Sequence, residues 1–125
     1  MMMTILQVAA GGALGAVLRL GVTLGMARVA SPGFPLGVLT VNVLGSFLIG
    51  ALVVLSFHRG FDHLNPFLVT GILGGFTTFS TFSLEALTLY ERGAMGAALS
   101  YVGLSVVLSL AAVALGAWAM RAVVA

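Results

Sequence analysis

GGFTTFSTFS, Gly74 to Ser83, sets two glycines and five hydroxyl side chains among phenylalanines, in the middle of an otherwise apolar run. In hydrocarbon every backbone amide and carbonyl must be satisfied inside the protein. Irregular, polar-rich backbone at that depth is tolerated only where it is buried or lines a cavity. The stretch therefore predicts a membrane helix interrupted at Gly74-Gly75, with a small polar solute or ion meeting the protein there.

The surrounding chain agrees with a membrane setting. Of its 125 residues 61% are hydrophobic and 6% charged, and the mean hydropathy is +1.23. Soluble domains carry about a quarter charged residues, so this is an integral membrane protein. Four runs reach the roughly 20 apolar residues of a membrane span: about 4–26, 36–57, 66–90 and 94–120. Pro35 opens the second. Connections are short: Ala27 to Phe34 with its Ser-Pro-Gly, His58 to Asn65, and the Glu91-Arg92-Gly93 turn. The predicted fold is one all-α, four-helix membrane domain spanning 1–125, with both termini on one side. No Cys is present, which excludes disulfides and thiolate metal sites. Five Arg and no Lys are too sparse for a nucleic-acid surface. The apolar start lacks a basic leader and reads as a first span rather than a cleaved signal.

Glycines four apart, at Gly11 and Gly15, Gly21 and Gly25, and Gly71 and Gly75, predict close approach between helices. So small a unit has little interior of its own, which points to an oligomer. Flanking charge is evenly divided. Arg59 and Arg121 lie on the side of the termini, and Arg28 and Arg92 on the other, with Arg19 inside span one towards that side. On so even a count the positive-inside rule selects neither orientation. Insertion in both directions, with pairing to an inverted copy, is the sharper explanation.

Polar groups inside a span need a partner or a task. Asn42 and Ser46 share a face of span two. Tyr101, Ser105 and Ser109 recur every four residues on span four. Phe79 and Phe82 share a face of span three, amid Thr77, Thr78, Ser80, Thr81 and Ser83. A lone membrane hydroxyl ordinarily bonds its own helix's carbonyl one turn back. Three stripes on three helices, with an Asn among them, read instead as the wall of a narrow polar pathway. Such groups both donate and accept, so they leave the sign of the solute open. Spans one, two and four hold no carboxylate, and Arg19 is the one intramembrane cation, which leans towards an anion. Phenylalanine edges carry the positive part of the ring quadrupole and solvate a small anion without a fixed charge; ordinary core packing is the plainer use of such a pair.

At these residues the chain resembles the Fluc (CrcB-like) fluoride channel family. The matching pieces are GGALGAVLR at Gly11 to Arg19, PLGVLTVNVLGSFLIG at Pro35 to Gly50, and GILGGFTTFSTFS at Gly71 to Ser83, joined by the Tyr101, Ser105, Ser109 stripe. The resemblance covers essentially the whole chain, and the third piece is the specific one. Val38 departs from it, standing where the family often has Thr. The resemblance implies an antiparallel, dual-topology homodimer with two pores in the cell inner membrane. It implies that Asn42 donates its amide to fluoride and that Phe79 and Phe82 supply aromatic edges. Ser105 and Ser109, with Tyr101 beside them, would form a polar track, with Ser80 and Thr81 also on the fluoride pathway. Arg19 would hold a vestibule positive, and Glu85 would stabilise the end of span three. The carbonyls of Gly74 and Thr77, doubled by the inverted copy, would hold one structural Na⁺.

The implied activity is passive conduction rather than enzymatic chemistry. A negative interior favours anion exit by roughly 2.3 kcal/mol per 100 mV, so fluoride leaves without an energy source. A small dual-topology multidrug antiporter is the rival, but it needs a carboxylate in span one, where only Arg19 is ionisable. A non-transporting assembly subunit would leave the aligned polar faces unexplained.

Overall fold

The computed structural model describes residues 1–30 and 33–125. The Ser31-Pro32 part of the first predicted connection lies outside them. Four helical segments are long and apolar enough to cross a membrane. The first two are α1, Met2–Ala27, and α2, Leu36–Arg59. Glycine in the left-handed region ends α2, at Gly60 with φ 76°, where a side chain would strain the backbone. A short 3₁₀ turn, Asp62–Leu64, leads to the third segment. This is composite: α3 joins a π-helical run, Pro66–Leu73, to one α-helical turn, Gly74–Phe76. Two extended residues follow, and then α4, Phe79–Glu91. The fourth segment is α5, Met95–Val124.

The interruption lies three residues beyond the glycines expected to make it. Gly74 has φ −63° and ψ −37° and is helical, whereas Thr77 (φ −90°, ψ 157°) and Thr78 (φ −154°, ψ 124°) are extended. The glycines serve contact instead. A Cβ at Gly71 would stand 2.8 Å from the Gly11 Cα, and one at Gly75 would stand 2.7 Å from the Gly12 carbonyl oxygen. Gly15 faces the Ile72 carbonyl and, at 2.9 Å from its would-be Cβ, the Phe76 amide. The α1–α3 interface is thus backbone against backbone, as small residues allow in a membrane. Gly21 and Gly25, the other expected pair, have nothing near them within the described residues. A second contact of this kind, unread in the sequence, joins α2 to α5: Gly50 meets Val113 and Ala117, and Gly116 meets Phe47 and Ala51.

Backbone contacts cannot yield as a flexible side chain can. Gly15→Val is therefore expected to destabilise the folded chain by at least about 2 kcal/mol, read as a lower unfolding midpoint in detergent. Gly21→Val, facing open space, should change it little.

The apolar core sits where α2, α4 and α5 meet, around Val38, Leu39, Phe82, Leu89, Ala98 and Tyr101. Val38 is only 4% exposed, so the residue that departs from the family pattern is a buried apolar one. Elsewhere the helices present apolar side chains outwards, Leu20, Leu87, Leu110 and Trp118 among them, as a lipid or partner surface requires.

Candidate functional site

Thr78 is held by a neighbouring helix rather than its own. Its amide donates to Asn42 Oδ1 at 2.8 Å, and its carbonyl accepts from Asn42 Nδ2 at 2.9 Å. The α2 amide therefore replaces, at one residue, the backbone partners that an unbroken helix supplies. Thr78 Oγ1 then caps α4 by accepting from the Thr81 amide at 3.2 Å, a regular N-cap. The same oxygen donates to Thr81 Oγ1 at 3.3 Å and lies 3.4 Å from Ser80 Oγ. Regular helical bonds across the break are forfeited in the process. The amides of Thr78 and Thr81, which would reach back to the Gly74 and Thr77 carbonyls, are committed elsewhere.

Arg19 closes the other side of the break. Its Nε donates to the Gly75 carbonyl at 3.0 Å, pinning α1 to the last helical turn before Thr77. The guanidinium, which the resemblance assigns to a vestibule, is here a backbone partner.

A groove of about 440 Å³ runs past the break. From α2 it takes Asn42, Gly45, Ser46 and Ile49, and from α3 Leu73 and Gly74. Thr77, Thr78, Phe79 and Phe82 form its middle, and Ser105, Val106, Ser109 and Leu110 of α5 its far wall. No carboxylate among the described residues lines it. Ser105 is 6% exposed and its Oγ has no hydrogen-bond partner among those residues, which is unfavourable unless something else binds it. Asn42 still has one Nδ2 hydrogen to donate, since an amide carries two.

The rings are arranged in a row. Phe79 and Phe82 centroids are 5.4 Å apart at 54°, and Phe82 and Tyr101 are 5.3 Å apart at 42°. Phe34 meets Tyr101 edge-on at 5.7 Å and 87°. The inner rings are packed, Tyr101 being 0% and Phe82 8% exposed, but Phe79 is 78% exposed and stands off the chain's own surface.

Of the predicted pathway residues, the groove gathers Asn42, Phe79, Phe82, Ser105 and Ser109, together with Gly74 and Thr77. Tyr101, Ser80, Thr81 and Arg19 do not line it. The Tyr101 hydroxyl donates to Glu85 Oε2 at 3.3 Å, and Ser80 and Thr81 belong to the α4 cap. Glu85 instead faces two smaller cavities near Phe34 and Pro35. Single hydroxyls elsewhere follow the plain rule, as Thr23, Thr40, Ser83 and Thr88 each bond a carbonyl one turn back.

A family model described as CrcB-like protein, Camphor Resistance (CrcB), matches residues 6–117. The chain belongs to the CrcB-like family. It is 60% identical over 124 residues to a protein of Ruegeria sp. (strain TM1040) named fluoride-specific ion channel FluC, with 98% of each chain covered. A protein of the same name from Cereibacter sphaeroides (strain ATCC 17029 / ATH 2.4.9) is 57% identical over 121 residues, 97% of each chain. One from Agrobacterium fabrum (strain C58 / ATCC 33970) is 52% identical over 117 residues, 92% of this chain and 94% of that one. The CrcB-like match reaches all four apolar segments and includes the whole of the groove.

The double bond between Asn42 and Thr78 gives a direct expectation. Asn42→Ala removes both partners of Thr78 and should destabilise the chain by about 2 kcal/mol, read as a lower unfolding midpoint in detergent.

Proposed function

We propose that this chain is a fluoride-specific channel of the bacterial inner membrane, conducting fluoride passively out of the cell. The observation that carries the reading is the uncharged groove, where the Ser105 hydroxyl, left without a partner, stands with the Asn42 amide and the Phe82 ring. Fluoride is small and tightly hydrated. A pore for it replaces water with several donors yet binds weakly enough to release the ion. Hydroxyl, amide and ring edge meet that need without a fixed charge to trap it, and the names of the 50–60% identical relatives agree.

In this reading the functional unit is an antiparallel homodimer of dual topology, and the Thr77–Thr78 interruption lies at mid-membrane depth. Phe79 supports a second copy, because a ring 78% exposed has little to contact on its own chain. The balanced flanking arginines support insertion both ways.

A structural Na⁺ suits the same arrangement. The Gly74 and Thr77 carbonyls have lost their helical donors, and a hard cation takes oxygen ligands. Two copies would supply four. Bound there, the ion would offset the converging carbonyl dipoles and would not be transported. Exchanging Na⁺ for choline should lower the dimer's unfolding midpoint, measured in detergent.

Fluoride efflux from liposomes holding the purified protein tests the function. Efflux without a proton gradient, with chloride excluded, is the expected result. Proton-coupled drug exchange would replace the channel by an antiporter, and no transport at all would leave an assembly subunit.

A further inference from the structure

We propose that the cleft between the C-terminal ends of α2 and α5 binds the phosphate headgroup of an anionic membrane lipid. The two helices run parallel and touch backbone to backbone at Gly50 and Gly116. Beyond that crossing they leave a cavity of about 560 Å³, lined by Val53, Val54, Phe57 and His58 of α2 and by Arg121, Val124 and Ala125 at the end of α5. The cleft is wide open on one side, so it would seat a headgroup at its mouth rather than enclose a ligand. Its walls are apolar and its polar side chains are His58 and Arg121, both donors.

The position suits a lipid. Trp118 is 66% exposed three residues before Arg121, and Phe57 is 67% exposed beside His58, placing bare aromatic rings next to basic heads as at a membrane–water boundary. Helix C-terminal ends carry a partial negative charge of about half a unit each. That field favours basic side chains here whatever binds, and it opposes a free anion. An acyl chain lying on Val53, Val54 and Val124 offsets the opposition through buried apolar surface, which inorganic phosphate lacks. The cleft therefore selects a lipid over the free ion.

Native mass spectrometry of the purified full-length protein in neutral detergent tests this, with phosphatidylglycerol, phosphatidylcholine or inorganic phosphate added. Wild type should retain phosphatidylglycerol over phosphatidylcholine and ignore phosphate. Arg121→Gln should weaken retention about five-fold, and His58→Gln should weaken it less. Arg59→Gln, outside the cleft lining, should leave it unchanged. Equal retention of the two lipids, displacement by phosphate, or equal losses in the Arg59 and Arg121 variants would each overturn the site. None of these residues touches the groove, so fluoride flux in the variants reads the channel separately.

Discussion

Phe79→Ile should lower fluoride efflux from liposomes about five-fold while leaving the fold in place. Isoleucine retains an apolar side chain but has no quadrupole. The ring's positive edge is what an uncharged pore can offer an anion, and an aromatic contact contributes about 1 kcal/mol beyond its buried area, which is about five-fold in rate. At 78% exposure Phe79 has few contacts of its own chain to lose. Phe82→Ile should cut flux similarly, but that ring is 8% exposed and packs on Tyr101. Its variant should also unfold earlier. The exposed position is therefore the cleaner test, and wild-type efflux by Phe79→Ile would remove aromatic edges from the mechanism.

Fixing the orientation of the chain should abolish activity altogether. Val29→Lys with Met95→Lys adds two positive charges at exposed positions on the flank of Arg28 and Arg92, and the positive-inside rule then holds that flank in the cytoplasm. Met2→Lys with Val123→Lys, also exposed, does the reverse. Each form alone should give no fluoride resistance in cells, and co-expression should restore it. Full activity of either form alone would refute antiparallel assembly.

The four long apolar helices are legible in the sequence because apolar runs bounded by Pro, Gly and charge leave little choice of element. The location of the interruption is not. Gly74-Gly75 is the weak point on propensity, yet in a membrane glycine is as useful for close approach, and Gly75 is spent against Gly12. The extended pair is fixed by two partners that propensity does not contain: the Asn42 amide from another helix and the Thr78 hydroxyl capping α4. Tyr101 lines up with Ser105 and Ser109 in the sequence because four residues approximate one turn. Each such step overshoots by about 40°, so Tyr101 and Ser109 diverge by about 80° around α5, and Tyr101 turns to Glu85 and Phe82 instead. The π-helical run Pro66–Leu73 carries no signal in residue type or spacing. Asn42, Phe79, Phe82 and the serines are readable as a wall because polar groups recur on faces of three different helices, although Phe82 also packs in the core.

Asn42 lies upstream of the gap it closes, and this has a bearing on biogenesis. A chain threaded into the bilayer from its first residue delivers the α2 amide before the unpaired peptide groups at Thr78 emerge. The lateral exit of the third crossing into lipid can then coincide with docking, so naked backbone never has to reside among acyl tails. A circular permutant in which α2 is synthesised last would release that crossing without its clasp, and the translocation machinery or membrane proteases would meet it first.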